Sequence, residues 1–225
     1  MINDITFNSK TATMTKTFSM TPKCIEEQLM DIDYINFYAP YKKCVNDAVE
    51  KAPLPFIMLA FYHFVFVEEI IPTPRELLDE YYFLNRRVFK KINDSTILFN
   101  GVTLNKCDID ARVLRAYPSL IRDWHMLSML NESKYFTNVF YSFVDDMNGV
   151  DITVESSGKK FVISLFVKTK RSQDFKNYKN TVRHQYGDNE IQMPLDLSTA
   201  RSCGDFYLYN KSDVEYIKNY ISNAS

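Results

Sequence analysis

Near residue 137 the hydrophobic period of this chain changes. Before that point apolar residues recur at helical spacing, as Leu77, Leu78, Tyr81, Leu84, Val88 and Phe89 and again as Ile121, Trp124, Leu127 and Leu130. Beyond it, Val139 to Phe143, Val150 to Glu155 and Phe161 to Thr169 read as three consecutive strands with side chains on alternating faces. Gln173 to His184 then reads as a helix, Gly204 to Tyr209 as a further strand, and Asp213 to Ile221 as a closing helix. That order makes an α/β (α+β) unit behind a mainly helical portion. We expect the helical portion, with a small hairpin, over residues 1–118 and the α/β domain, a mixed sheet flanked by helices, over residues 119–225.

Within the first portion, residues 1 to about 20 read as a ragged polar leader, or as one edge strand. The apolar run Leu54 to Val67 is too short to span a bilayer, which needs about 20 residues, and reads as a buried core helix. Thr73-Pro74-Arg75-Glu76 marks a helix start, with Thr73 as cap and Glu76 closing a capping box. Arg86, Arg87, Lys90 and Lys91 then fall in the last turns, where cations suit the helix dipole. Asn100-Gly101 between β-rich runs signals a hairpin. A helix followed by a hairpin could be a winged DNA-reading module; a hairpin packed on helices is the plainer expectation. A second helical block from Asp108 to Glu132 is expected to break near Pro118, with Ser119 capping its second half.

Composition narrows the functions open to the chain. Of 225 residues only 5 are glycine, against 15 tyrosine and 17 phenylalanine, and no Gly-rich phosphate loop is present. The net charge of −1 provides no global attraction for nucleic acid, so such binding needs a local basic patch. Cys24, Cys44, Cys107 and Cys203 show no metal-ligand spacing and follow no apolar leader, and we expect free thiols in a reducing cytoplasm. There is no GxSxG and no HExxH, and His125 reads as packed beside Trp124.

Chemistry concentrates on the hairpin that follows Gly149-Val150-Asp151. Asp151, Thr153 and Glu155 share one strand face; Ser164, Phe166, Lys168 and Lys170 share one face of the next. A turn centred near Gly158 puts Asp151 opposite Phe166, with Lys168 one pleat further. A carboxylate can hold Mg²⁺ or Mn²⁺, and an ammonium beside it can steady a phosphate. The plainer readings are that Asp151 caps a turn and that Lys168 is a solvated edge-strand lysine.

This order and spacing, over roughly Ser119 to Tyr209, resembles the PD-(D/E)XK nuclease superfamily, with its restriction-endonuclease-like fold. The resemblance implies that Asp151 binds metal and Lys168 is the catalytic lysine. The family's second carboxylate falls on Phe166, which cannot ligate a metal; taking Lys170 as the lysine puts Lys168 there instead. The preceding helix offers Asp123 and Glu132 as replacements, and Asp145 and Asp146 could also reach in. Glu155 lies on the Asp151 face but about 13 Å away, too far to share one ion.

Lys170 and Arg171 continue the hairpin's basic end, and Lys176, Lys179 and Arg183 recur as one helix stripe suited to a nucleic-acid backbone, or to a solvated face. The leading expectation is a Mg²⁺-dependent (or Mn²⁺-dependent) DNA endonuclease, cytoplasmic and without a membrane partner, in defence or mobile-element processing. A nuclease-like domain that binds nucleic acid or protein without cutting is the second. An interaction protein of other ancestry is the third. The helical portion would recognise DNA or a protein partner.

Overall fold

In the computed structural model, which describes residues 2–9, 12–18, 20–44, 46–141, 150–169 and 189–224, the chain divides into two units. Residues 27–121 form one; residues 1–26 with 122–225 form the other. The protein is of the α+β class, with helices and mixed sheet both well represented. Among the described residues, no helix is long and apolar enough to cross a membrane.

The first unit is built on helices α2 (Tyr34–Tyr38), α3 (Asp47–Lys51), α4 (Ile57–Glu68) and α5 (Pro74–Leu84) and the first part of α6 (Lys106–Ser133). The apolar run at residue 54 becomes α4, which buries Ala60, Phe61, Tyr62, Val65 and Phe66. It stops at Glu69, whose left-handed backbone (φ 58) sends its N–H to the Val65 carbonyl at 2.9 Å. Helix α5 begins with the expected capping box: the Glu76 N–H donates to Thr73 Oγ1 at 3.3 Å, and the Thr73 N–H to Glu76 Oε2 at 2.8 Å.

Helix α5 ends earlier than its periodicity suggests. Asn85 closes it, the side-chain amide donating to the Tyr81 carbonyl at 2.8 Å. Phe89 then opens a strand, β3 (Phe89–Asn93), and is buried against Phe99, Tyr81 and Tyr82, with ring centroids 5.2, 5.7 and 5.6 Å away. That aromatic cluster, more than local propensity, turns the chain from helix to sheet. Arg86, Arg87, Lys90 and Lys91 therefore do not lie in helical turns. Strands β4 (Thr96–Phe99) and β5 (Val102–Asn105) form the expected hairpin, with Asn100 (φ 48) and Gly101 (φ 80) at its two-residue turn. Sheet order is β3-β4-β5; its buried Phe89 packs on α5, and the buried Phe99 packs on Phe89.

Two further expectations are corrected in this unit. Helix α6 runs unbroken through Pro118. Cys44 and Cys107 are joined in a disulfide with Cα atoms 5.9 Å apart, so only Cys24 and Cys203 remain as free thiols.

The second unit begins with a hairpin, β1 (Ile2–Ser9) and β2 (Ala12–Phe18), where a ragged leader was expected. Residue 26, in α1 (Pro22–Met30), closes that segment of the unit. From α6, Trp124 Nε1 donates to Met20 Sδ at 3.3 Å and Ser128 Oγ to the Met20 carbonyl at 2.6 Å. The expected meander is present as β6 (Asn138–Phe140), β7 (Ile152–Ser156) and β8 (Lys159–Val167), each pair antiparallel.

A fourth strand, β9 (Glu190–Leu195), pairs parallel to β8 and was not anticipated. Pro194 reads as a strand breaker, but β9 is an outer strand of the described sheet, where a missing N–H is tolerated. The short hairpin β10 (Arg201–Cys203) and β11 (Phe206–Leu208) follows, then helix α7 (Lys211–Ala224), which buries Val214, Ile217 and Ile221.

Candidate functional site

The β7–β8 turn is tighter than the sequence suggests. Ser157 (φ 51) and Gly158 (φ 76) alone make it, so Ser156 pairs with Lys159 and Ile152 with Ile163. The next position along β8, Ser164, is then level with Asp151, where Phe166 was expected. Lys168 lies four residues beyond, about 13 Å along the strand.

Asp151 grips β8 twice. Its N–H donates to the Ile163 carbonyl at 3.0 Å, and its Oδ2 accepts the Leu165 N–H at 2.5 Å. The carboxylate thus replaces a ladder acceptor at the point where β7 begins.

Lys168 sits at the end of the parallel pair. Its N–H donates to the Leu195 carbonyl at 2.8 Å, and its Nζ lies 3.8 Å from Asp196 Oδ2, both side chains largely in water. The Asp196 carboxyl is held below its usual range, chiefly by the Ser198 hydroxyl and N–H, with a smaller contribution from Lys168.

Helix α6 carries Asp123. The buried Tyr209 hydroxyl donates to the Met193 carbonyl at 2.7 Å. Burial raises its pKa most; the negative charges of Asp123 and Asp151 raise it further, and Arg122 opposes them.

Glu132 stands apart. It follows Asp123 by nine residues, about 13 Å along the helix axis. It lines a separate cleft of about 290 Å³ with Pro22, Glu26, Met129, Arg201 and Lys211. Lys170, Arg171, Lys176, Lys179 and Arg183, the helix expected over 173–184, and Asp145 and Asp146 lie outside the described residues.

Beside that cleft is a network the sequence did not suggest. Glu26 accepts Arg201 Nη1 at 2.8 Å on Oε1 and Arg201 Nη2 on Oε2, and its Oε1 lies 3.0 Å from His125 Nε2. Arg201 is the main reason the Glu26 carboxyl falls to about 2, with burial opposing and His125 assisting. Burial pushes the fully enclosed His125 down, which keeps the ring neutral, with Nε2–H donating to Glu26. The three residues are 99 and 175 positions apart along the chain, so no local pattern joins them.

Among the described residues no group of three or more His, Cys, Asp or Glu side chains is placed to hold a metal ion. Comparison with protein-family models, with curated proteins and with solved structures finds no match for this chain.

Proposed function

We propose that this chain is a metal-dependent DNA endonuclease whose reactive centre lies at the Asp151 end of the mixed sheet. The observation that carries the reading is the placement of Asp151 at the start of β7, tied to β8 through its own N–H and its Oδ2. A carboxylate at a strand start, with Asp123 on the preceding helix as a second oxygen donor, is the type of donor set that a small hard cation takes. The antiparallel meander followed by a parallel strand supports the restriction-endonuclease-like part of the reading.

The donor set fits Mg²⁺ or Mn²⁺ by type: the residues that would hold it are Asp151 and Asp123, both oxygen donors. Such an ion, when bound, would neutralise phosphate charge and lower the pKa of a water. Asp151, anchored to β8 by its backbone and by Oδ2, keeps the strand start fixed during turnover. Arg122, next to Asp123 in the chain, is a cation that would steady a phosphate in this reading. In this reading Asp123 rather than Glu132 is the helix carboxylate, and Lys168 serves the strand end through Asp196.

A second reading, a nuclease-like domain that binds without cutting, is favoured by one observation. Ser164, not a carboxylate, is level with Asp151, and Phe166 comes next on its face. Incubation with plasmid and single-stranded DNA, with Mg²⁺ or Mn²⁺, separates the two. Cleavage that disappears with chelator and in Asp151→Asn supports the enzyme. DNA binding without cleavage supports the second reading, and neither binding nor cleavage refutes both.

A further inference from the structure

Arg86, Arg87, Lys90 and Lys91 would suit the end of a helix, but the helix stops at Leu84 before reaching them. They lie instead in the turn after α5 and on β3, an outer strand of the β3-β4-β5 sheet, and all four are exposed. The dipole that would explain them is therefore not available. Asp94 is the sole carboxylate between residues 85 and 105, and it is taken up by Lys91 at 2.5 Å. Arg86 Nη1 donates to the Phe83 carbonyl at 2.7 Å, with the guanidinium 4.4 Å from the centre of the Phe83 ring. Among the described residues the side chains of Arg87 and Lys90 make no hydrogen bond or ion pair.

Apolar groups are interleaved with these cations. Phe83, Val88, Ile92 and Val102 are 55%, 44%, 55% and 58% exposed. An edge-strand guard against aggregation accounts for Lys90 but not for Arg86 and Arg87, which stand in a turn with no strand edge to protect. Cations without local counter-charge repel one another, and a polyanion removes that cost.

We propose that the turn and strand carrying Arg86, Arg87, Lys90 and Lys91 bind the phosphate backbone of duplex DNA. The proposal rests on the reading that this chain acts on DNA, and it assigns the helical unit its partner. With a whole-chain net charge of −1, attraction has to be local, and this run supplies it. Arg87 and Lys90 are the phosphate contacts; the Arg86–Phe83 stack is a flat surface for a sugar or base. Such contacts position a duplex without reading its sequence.

The test is binding of the intact chain to a duplex against salt concentration, in chelator so that no cleavage occurs. The Arg87→Ala/Lys90→Ala variant is compared with a charge-keeping Arg87→Lys/Lys90→Arg variant, and all are checked by thermal melting. Loss of two contacts should weaken binding at least tenfold at low salt and reduce the log–log slope by about 1.8, at roughly 0.9 per contact. The charge-keeping variant should retain the native slope. Equal slopes for native and alanine variants would overturn the proposal, as would a native chain that does not bind duplex at all. Vesicles rich in phosphatidylserine form the control arm. Vesicle binding lost in the alanine variant while duplex binding persists would also overturn it, and assign the surface to a membrane. Absence of Mg²⁺-dependent cleavage with duplex binding intact would refute only the nuclease reading.

Discussion

The Tyr34 hydroxyl donates at 3.1 Å to the Leu114 carbonyl, the acceptor that Pro118 leaves without its helical N–H. This is how α6 survives a proline in its interior: a buried side chain from α2 supplies the absent donor. Tyr117 and Tyr81 play related parts, donating to the Pro72 carbonyl and, at 3.0 Å, to the Pro55 carbonyl. Buried phenols thus satisfy carbonyls that prolines and loops leave open. Tyr34→Phe should cost about 1–2 kcal/mol, because the Leu114 carbonyl then stays buried and unmatched. Urea denaturation read by far-ultraviolet circular dichroism measures it. An unchanged midpoint would mean that α6 relaxes locally instead.

The Cys44–Cys107 disulfide ties the end of the short helical segment after α2 to the first turn of α6, closing a loop of 63 residues. Reduction should lower stability by about 2–4 kcal/mol, since it returns freedom mainly to the unfolded chain. The readout is the denaturation midpoint with and without reductant. The Cys44→Ser/Cys107→Ser variant should match the reduced protein and ignore reductant.

Local signals predicted local structure well here. The capping box at Thr73, the Asn100-Gly101 turn and the strands on either side of Ser157-Gly158 all rest on neighbours in sequence. What the sequence concealed depends on distant partners. Phe89 leaves its helical period because Phe99, Tyr81 and Tyr82 enclose it. Pro118 looks like a break until Tyr34 is in view. The register of β8 moved by two residues because a two-residue turn is shorter than the polar stretch around it, and that shift set Lys168 apart from Asp151. Asp123 was legible as a helix carboxylate; Glu26, His125 and Arg201 were not, being joined only by the fold.

Acid should weaken the second unit in two stages. His125 has a depressed pKa in the fold, so the unfolded chain takes up its proton first; this contribution is complete above about 6.5 and declines as pH falls below it. Glu26 is also depressed, from 4.5 to about 2, so its contribution is complete above 4.5 and is lost as pH falls toward 2. Arg201 is partly in water, which limits the Glu26 contribution to on the order of 2 kcal/mol. Glu26→Gln should destabilise the protein at neutral pH and flatten the fall between pH 4.5 and 2. Thermal melts across pH for both proteins provide the comparison; parallel curves in that window would show that the Glu26–Arg201 pair contributes nothing measurable.

One substitution can separate the structural contact of Asp151 from its proposed part in the site. Its Oδ2 holds the Leu165 N–H, a structural contact that needs an acceptor but not a charge. Its proposed part in holding a divalent cation needs the charge. Asparagine keeps an acceptor oxygen and removes the charge; alanine removes both. Asp151→Ala should cost about 1–3 kcal/mol, the range for leaving a half-buried N–H without its partner. Asp151→Asn should cost clearly less than that. Both should abolish Mg²⁺-dependent cleavage, and both should weaken Mn²⁺ binding followed by titration calorimetry without DNA. Asp123→Asn should reproduce the loss of cleavage and of Mn²⁺ binding, since Asp123 is the second carboxylate of the proposed site. If Asp151→Asn cleaves at the native rate, its carboxylate is only the strand cap that Leu165 indicates, and the nuclease reading loses its central residue.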